Sequence, residues 1–286
     1  NNLFTLGGVQ WGYWNGCGGS CGGRTSMNLL FEGNFIDASQ NTDGAMGVKL
    51  QEFRDDGLIG KHKVVNNIML GGGKLVQANL NRVSEVFVAH NSFYTTFSGS
   101  SSGGKGIVAN AAGGHAFNRA KVINNALKMT STNAGYQLVE NAGLWGTLES
   151  TQISKNIYLI GASGKLASVE GVDYVTPTDW SVALMKGSQL NVNADPLFID
   201  PSNNNFIPRF GSPLINVAYL LPTIDVDYRG AKRTMPDVGA YEYDFISCTA
   251  LGQCNSLDNT CNDYECNLVS GFCEPTFLTG SCNDNN

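Results

Sequence analysis

Lys49 and Arg54 are the residues of this 286-residue chain whose types and spacing best suit proton abstraction by a cationic pair of the lyase kind, with Glu140 as a third candidate. Such chemistry needs acids and bases that converge on one face. In the repeat alignment developed below, Lys49 and Glu140 fall in one column with Gln77 and Ala109, so the column is mostly uncharged. Residues 52–63 are charged in the manner of a solvated loop. We therefore predict no catalytic residue and keep these three as the alternative.

A second group of charged residues lies between positions 225 and 242 and is the densest in the chain. Its members are Asp225, Asp227, Arg229, Arg233, Asp237 and Glu242. One interpretation is a catalytic cluster. The other is a polar cap of mutually satisfied charges that hides the open end of a repetitive fold, which such folds require. We favour the cap.

The eight cysteines suit disulfide chemistry. Six of them lie between residues 248 and 282, and the other two lie near the N-terminus: Cys248, Cys254, Cys261, Cys266, Cys273 and Cys282, with Cys17 and Cys21. Zinc is the alternative, but CxxC pairs are missing and the three histidines lie far upstream. We predict no metal and no cofactor. We expect Cys17 to pair with Cys21 or with an external cysteine, and the tail cysteines to pair among themselves in one of 15 ways.

Composition narrows the classes of protein. Gly contributes 35 residues, charged residues only 15%, and the net charge is −6, which is typical of a turn-rich β protein. No basic run of five occurs, which argues against nucleic acid as a partner. No apolar window of 18 residues occurs, which argues against a membrane span. The chain begins Asn1-Asn2-Leu3 without Met or leader, as expected of a processed chain or an excerpt of a longer one.

Three aromatic residues near the N-terminus, Trp11, Tyr13 and Trp14, lie among glycines just before Cys17. Aromatics with few charges are typical of interface cores. The segment is therefore either a cap folded over the first repeat or a contact surface for a neighbouring subunit.

The elements that must position these residues repeat along the chain. Short apolar stretches followed by Asn recur at intervals of 24 to 34 residues, at Asn34, Asn67, Asn91, Asn125 and Asn156. A second set of short strands follows within the repeats, at 47–50, 75–79, 107–110 and 137–141. Strands this short bury their faces only by stacking in parallel. Asn tolerates a left-handed bend and can bond to the next Asn as a ladder. We expect Val64, Ile123 and Ile153 to face one core.

The closing stretch carries a family resemblance. It reads Ala194-Asp195-Pro196-Leu197-Phe198, then Gly211-Ser212-Pro213-Leu214-Ile215, and ends Asp237-Val238-Gly239-Ala240-Tyr241-Glu242. This resembles the closing segment of secreted right-handed parallel β-helix proteins of the pectate-lyase-like superfamily, over residues 194–243. Together with the repeats, the resemblance implies an all-β chain with a right-handed parallel β-helix over residues 28–243. Residues 1–27, rich in aromatics, Gly and Cys, are set apart as an N-terminal cap. The resemblance implies no reaction, since folds host many functions.

The cysteine-rich tail, residues 244–286, is similar to the EGF-like modules of extracellular proteins, although it lacks their C-x-C pair. A β-helix with such a tail also resembles the proteins that build tubular flagellar hairs, or mastigonemes, and other extracellular matrix. These resemblances imply a secreted structural subunit of a filament, cell-surface appendage or matrix. Its partners would be itself, other extracellular subunits or polysaccharide. The alternative is a polysaccharide lyase, glycoside hydrolase or carbohydrate-binding protein.

Overall fold

A computed structural model gives the structure of most of the repeat region and parts of both ends. The described residues are 3–5, 11–15, 28–40, 46–51, 61–79, 85–96, 105–110, 119–130, 136–141, 152–161, 165–169, 172–176, 191–243, 251–252, 254, 262–267 and 272–277.

Short strands account for nearly all regular structure in these residues, together with one 3-10 turn at Pro201–Asn203. In chain order the strands are β1 (Leu3–Thr5), β2 (Trp11–Asn15), β3 (Asn28–Glu32), β4 (Phe35–Ala38), β5 (Met46–Gln51), β6 (Lys61–Val65), β7 (Ile68–Gly71), β8 (Lys74–Asn79), β9 (Glu85–Ala89), β10 (Ser92–Thr95), β11 (Lys105–Asn110), β12 (Arg119–Ile123), β13 (Ala126–Met129), β14 (Tyr136–Asn141), β15 (Gln152–Ser154), β16 (Ile157–Leu159), β17 (Lys165–Val169), β18 (Val172–Tyr174), β19 (Val192–Asn193), β20 (Phe198–Asp200), β21 (Asn205–Pro208), β22 (Asn262–Asn267) and β23 (Phe272–Phe277).

Three long sheets contain most of these strands, and the chain visits the sheets in turn. Sheet 1 has the order β1-β4-β7-β10-β13-β16-β19, sheet 2 has β2-β5-β8-β11-β14-β17-β18, and sheet 3 has β3-β6-β9-β12-β15. Within these three sheets, each strand pairs in parallel with the strand three elements along the chain, except β18, which pairs antiparallel with β17. The described part is therefore all-β with parallel sheets, as the resemblance implied at this level.

One core lies between the three sheets and is built from columns of apolar residues in register. On sheet 3 the column is Val64, Val88, Val122 and Ile153, and all four side chains are buried in the main cluster. Ile123 was expected here and is not part of it. It packs with Val65, Ala89 and Ile224 in a separate cluster, because consecutive strand residues point to opposite faces and Val122 already occupies the inward position.

Residues 194–208 and 212–242, which we call the closing segment, cover the outer face of sheet 1. Strands β20 and β21 form an antiparallel pair within it. Its Phe198 and Phe206 pack with Ile68 and Ile157 in one buried cluster, and the Phe35 ring meets that of Phe206 edge-on, with ring centroids 6.5 Å apart. Lys128 of β13 forms an ion pair with Asp195 at 2.9 Å. This face of sheet 1 is therefore apolar and covered.

The chain divides into two compact units, one formed by residues 1–208 and 212–242, the other by residues 209–211 and 243–286. In the second unit, β22 and β23 form an antiparallel hairpin. A disulfide joins Cys254 to Cys273 across 19 residues, with a Cα–Cα distance of 5.6 Å. The bonding of the other six cysteines lies outside what the structure describes. Among the described residues there is no helix long and apolar enough to cross a membrane.

Candidate functional site at the corner turns

The turns that lead from sheet 3 into sheet 1, which we call the corner turns, hold a buried asparagine ladder. Each ladder residue donates its side-chain amide to the side-chain oxygen of the next. The distances are 3.1 Å from Asn34 to Asn67, 3.0 Å to Asn91, 2.9 Å to Asn125, 2.9 Å to Asn156 and 3.0 Å to Asn191. The backbone N–H of each also donates to the same oxygen, as from Asn67 to Asn91 at 2.9 Å. The predicted ladder is confirmed, with a sixth member, Asn191, that the repeat pattern did not include.

The left-handed bend of each corner turn belongs to the residue before the ladder asparagine. Positive φ angles of 52° to 63° occur at five such positions, namely Gly33, Asn66, His90, Asn124 and Lys155. The bend was expected at the ladder asparagine itself. The asparagine instead uses its side chain for the ladder, and the preceding residue adopts the left-handed conformation, in which Gly and Asn are favoured.

These left-handed residues are where the closing segment binds the repeats. Asn66 donates to Val226 O at 2.9 Å. Asn124 accepts from Tyr219 N at 3.0 Å and donates to Tyr219 O at 2.9 Å. The ammonium of Lys155 lies 5.4 Å from the centre of the Tyr219 ring. The closing segment thus crosses successive corner turns along the side of the stack.

The charges of the closing segment form a buried network there. The Arg233 guanidinium is fully buried and pairs with Glu242. It also donates to Asn66 Oδ1 at 3.0 Å and to the carbonyl of Gly239 at 3.0 Å. Glu242 accepts in addition from Asp237 N at 3.0 Å. The mutually satisfied charges agree with the predicted polar cap, but the network contacts Asn66 at the side of the stack, so its expected place at the open end is wrong.

Asp227 supports the same network from the backbone side. Its two carboxylate oxygens accept from Arg229 N at 2.7 Å, Ala231 N at 2.8 Å and Glu242 N at 3.0 Å. A carboxylate held by several N–H donors fixes the local chain direction. The Arg229 guanidinium lies 5.1 Å from the centre of the Tyr241 ring. These charges organise the closing segment itself.

Burial sets the protonation of this cluster. It raises the pKa of Glu242 to about 7, an effect that the charge of Arg233 opposes. Burial also lowers the pKa of Arg233, against the raising effect of Glu242, Asp227 and Asp237. A buried pair of this kind is costly to break, because the remaining charge is left without a partner.

His90 occupies the middle of the cluster and is fully buried. Its Nδ1 lies 3.3 Å from the Gly239 carbonyl oxygen and its Nε2 lies 2.9 Å from Asn124 Nδ2. Since a carbonyl only accepts and an amide nitrogen only donates, Nδ1 carries the proton and Nε2 accepts. Burial, and then the charge of Arg233, lower the pKa of His90 well below its usual value. The neutral ring therefore bridges the Gly239 carbonyl and the Asn124 amide, and both hydrogen bonds require this tautomer.

The residues proposed from sequence for catalysis are not brought together. The register pairs Lys49 with Gln77. Glu140 belongs to the neighbouring column, which runs through Ala109, Ala78 and Leu50. The expected single column is therefore wrong by one position, because loops of different length separate the repeats and the register cannot be read from the sequence. Arg54 lies outside the described residues.

The other predicted residues are described only in part or not at all. Trp11, Tyr13 and Trp14 lie on β2, the strand at one edge of sheet 2, and their side chains lie outside what the structure describes. Cys17 and Cys21 lie outside the described residues altogether. In the described ranges, no three His, Cys, Asp or Glu side chains are grouped so that they could hold a metal ion.

Sheet 2 carries a cluster of lysines that sequence reasoning missed. Lys74 and Lys105 are register partners on neighbouring strands, and Lys49 lies on the strand at the other side of Lys74. Burial, and then repulsion from Lys105 and Lys49, lower the pKa of Lys74. Burial lowers the pKa of Lys105 as well. Only the strand register reveals this grouping, since the three residues are far apart in sequence.

Sequence reasoning also missed the left-handed residues that bind the closing segment, although the doubled asparagines at 66–67 and 124–125 were a signal for them. In each pair the second residue builds the ladder and the first binds the closing segment. Comparisons with protein-family models, with curated proteins and with solved structures found no match to this chain. The role of the cluster is therefore inferred from its geometry: its groups bond to one another and attach the closing segment to the corner turns.

Proposed function

We propose that this chain is a non-enzymatic structural subunit of an extracellular filament, appendage or matrix. In this proposal the three long sheets wind as a right-handed parallel β-helix of the pectate-lyase-like kind, and the tail is an EGF-like module. Pairing of each strand with the strand three elements along the chain supports the winding. The continuous ladder at the corner turns supports it too, since stacked identical amides mark successive turns of a repeat.

The observation that carries the assembly is where the sheets end. Sheets 1, 2 and 3 end at β1, β2 and β3, respectively, so the first three strands of the chain form one edge of each sheet. No described strand pairs with the outer sides of these three strands. An open parallel edge can pair with another chain by strand addition. At the other end of sheet 2, the antiparallel strand β18 follows β17 and ends the parallel order.

The use of charged groups favours a structural role over an enzyme. His90, Asp227, Arg233 and Glu242 are all buried and bound within the corner-turn cluster. An acid or base must reach a proton on the substrate, and these groups are committed to internal partners.

The disulfide between Cys254 and Cys273 favours secretion, because disulfides persist in oxidising compartments. The partners that we propose are further copies of this chain or other extracellular subunits.

Electron microscopy of the purified full chain tests the assembly. We expect filaments or ordered aggregates, and we expect replacement of Trp11 and Trp14 by Ser to leave the circular dichroism spectrum unchanged while reducing the assembled fraction in sedimentation at least fivefold. Leu220→Ser is the matched control, since Leu220 is 58% exposed on the closing segment. Monomers only, or equal assembly of all three proteins, would contradict the proposal.

Activity assays test the enzymatic alternative separately. The full chain is incubated with uronic acid polymers, and unsaturated or reducing ends are measured. We expect no turnover. Turnover that disappears in Lys49→Ala would replace the structural function by a lyase.

A further inference from the structure

Negative charge is unevenly distributed along the chain. The cysteine-rich tail, residues 244–286, contains six of the 24 acidic residues and none of the 18 basic ones. These six carboxylates account for the whole net charge of −6, so residues 1–243 have no net charge. Aromatic residues stand among the acids, as in Asp263-Tyr264-Glu265 and Phe272-Cys273-Glu274. The tail is therefore an acidic and aromatic segment with no cation of its own.

Two of these carboxylates occupy opposite positions of one hairpin. The register of β22 and β23 pairs Glu265 directly with Glu274, and Glu265 is exposed. Like charges directly opposite each other destabilise a pair of strands. Because residues 244–286 contain no Lys, Arg or His, a cation that relieves this repulsion must come from outside the tail.

The outer face of sheet 3 carries cations of this kind. Lys61 and Lys63 of β6 and Lys121 of β12 are exposed. No hydrogen bond or ion pair joins their ammonium groups to any residue in the described ranges. Lys61 has Glu85 as its register partner on β9, which balances its charge. Lys63 and Lys121 have no carboxylate opposite them.

Lys63 and Lys121 belong to one column, which we call the lysine column. Its members in register are Leu30, Lys63, Phe87, Lys121 and Gln152. Phe87 thus lies between the two lysines, about 4.8 Å from each along the sheet. Leu30 beside Lys63 is 60% exposed. The column presents two cations with apolar groups next to them, and it is complementary in charge and character to the acidic, aromatic tail.

We propose that the lysine column is the docking surface for the cysteine-rich tail of a second copy of this chain, with Glu265 and Glu274 bound by Lys63 and Lys121. This inference rests on the proposed self-assembly and identifies one of its contacts. Complementary charges select the partner and its orientation. Because the column and the tail are different surfaces, each bound pair of copies keeps one of each free, and such a contact can continue into an open filament.

Charge reversal with complementation tests the contact in the full chain. The column variant combines Lys63→Glu with Lys121→Glu. The tail variant combines Glu265→Lys with Glu274→Lys and keeps like charges opposite each other in the hairpin. Each variant alone has the same charge on both surfaces, so the assembled fraction in sedimentation should fall at least fivefold. An equimolar mixture of the two variants restores opposite charges between copies and should recover at least half of the wild-type assembly.

Lys232→Glu is the matched control for Lys121→Glu alone, because it reverses one exposed charge on the closing segment. It should leave assembly unchanged, and all variants should keep the wild-type circular dichroism spectrum. Wild-type assembly should weaken at high salt, where charge attraction is screened.

The outcomes separate this contact from the assembly itself. If the wild type assembles and both reversed variants assemble equally well, the contact is overturned and the proposed function stands. Loss of assembly without recovery in the mixture also overturns the contact, since the tail is then not bound by another copy. A wild-type chain that never assembles overturns both.

Discussion

His90 shows how one side chain can make a parallel stack sensitive to acid. Its ring is neutral because it donates to Gly239 O and accepts from Asn124, with Arg233 nearby. Arg233 is itself surrounded by the carboxylates of Asp227, Asp237 and Glu242, all on the closing segment. Protonation of Nε2 would remove its acceptor site and add a second cation next to Arg233.

We predict that acid destabilises the chain through His90. The folded pKa lies below the unfolded value, so the contribution to stability is complete above about pH 6.5 and is lost as the pH falls, by about 1.4 kcal/mol per pH unit. Denaturant titrations at pH 5 and pH 7.5 measure it. His90→Asn should remove this slope and still fold, since Asn66 and Asn124 hold the same position in neighbouring repeats.

The comparison must be between wild type and variant, because Glu242 acts in the opposite sense. Its folded pKa is raised to about 7, so its contribution falls as the pH rises from about 4.5. Lys155→Asn is the matched control at another corner turn. If the slope persists in His90→Asn, the ring is not the group that titrates.

A second prediction at this scale concerns the buried pair of Arg233 and Glu242. Removing either partner leaves a buried charge, so Arg233→Met and Glu242→Gln should each lower the free energy of unfolding by about 3–5 kcal/mol. The double variant should cost clearly less than the two single costs together. Chemical denaturation of the four proteins measures this coupling, and simple additivity would mean that the two groups act independently.

Among the elements, the corner turn depends on buried side-chain hydrogen bonds that water cannot replace. Asn91 accepts from the backbone and the side chain of Asn67, and it donates to Val64 O and to Asn125. All of these groups are buried, so each orphaned partner costs about 1–3 kcal/mol.

We therefore predict that Asn91→Ala lowers the free energy of unfolding by more than 3 kcal/mol, since several partners lose their bonds at once. Asn34→Ala, at the first described position of the ladder, should cost less, because Asn67 retains its own bond to Asn91. Denaturant melts of the two variants give the order. Equal costs would show that the ladder does not act through its internal members.

The strand elements could be predicted from sequence where apolar residues and Asn recur together, as at Val64 to Asn67. Their register could not, since loops of different length separate the repeats and a shift by one residue turns a side chain to the other face. Ile123 and the column of Lys49 were misplaced for this reason. The closing segment was recognised by its order of residues, but its path along the side of the stack depends on contacts across more than 90 positions, as between Asn124 and Tyr219.

At the scale of the whole molecule, the chain has two units with different means of stabilisation. The first has a continuous apolar core between three sheets. The second is small, and its described part relies on one hairpin and the bridge from Cys254 to Cys273. Small units without a sizeable core depend on such bridges.

We predict that replacing Cys254 and Cys273 by Ser destabilises the second unit by about 2–4 kcal/mol and leaves the first intact. Limited proteolysis with mass spectrometry should detect faster cleavage between residues 254 and 277, while residues 61–79 and 119–130 stay protected. Replacing Cys17 and Cys21 by Ser is the control. Faster cleavage throughout both units would mean that the bridge also supports the stack.

The path of the closing segment also has a mechanical consequence. Because it binds Asn66, His90 and Asn124 on three successive corner turns, separating any two of these repeats also requires breaking its own bonds. A pulling force along the direction in which the repeats stack is therefore shared between the hydrogen bonds of the sheets and the closing segment, whose covalent backbone runs beside them. The side of the stacked repeats that carries the closing segment should therefore resist separation of the repeats more strongly than the other sides.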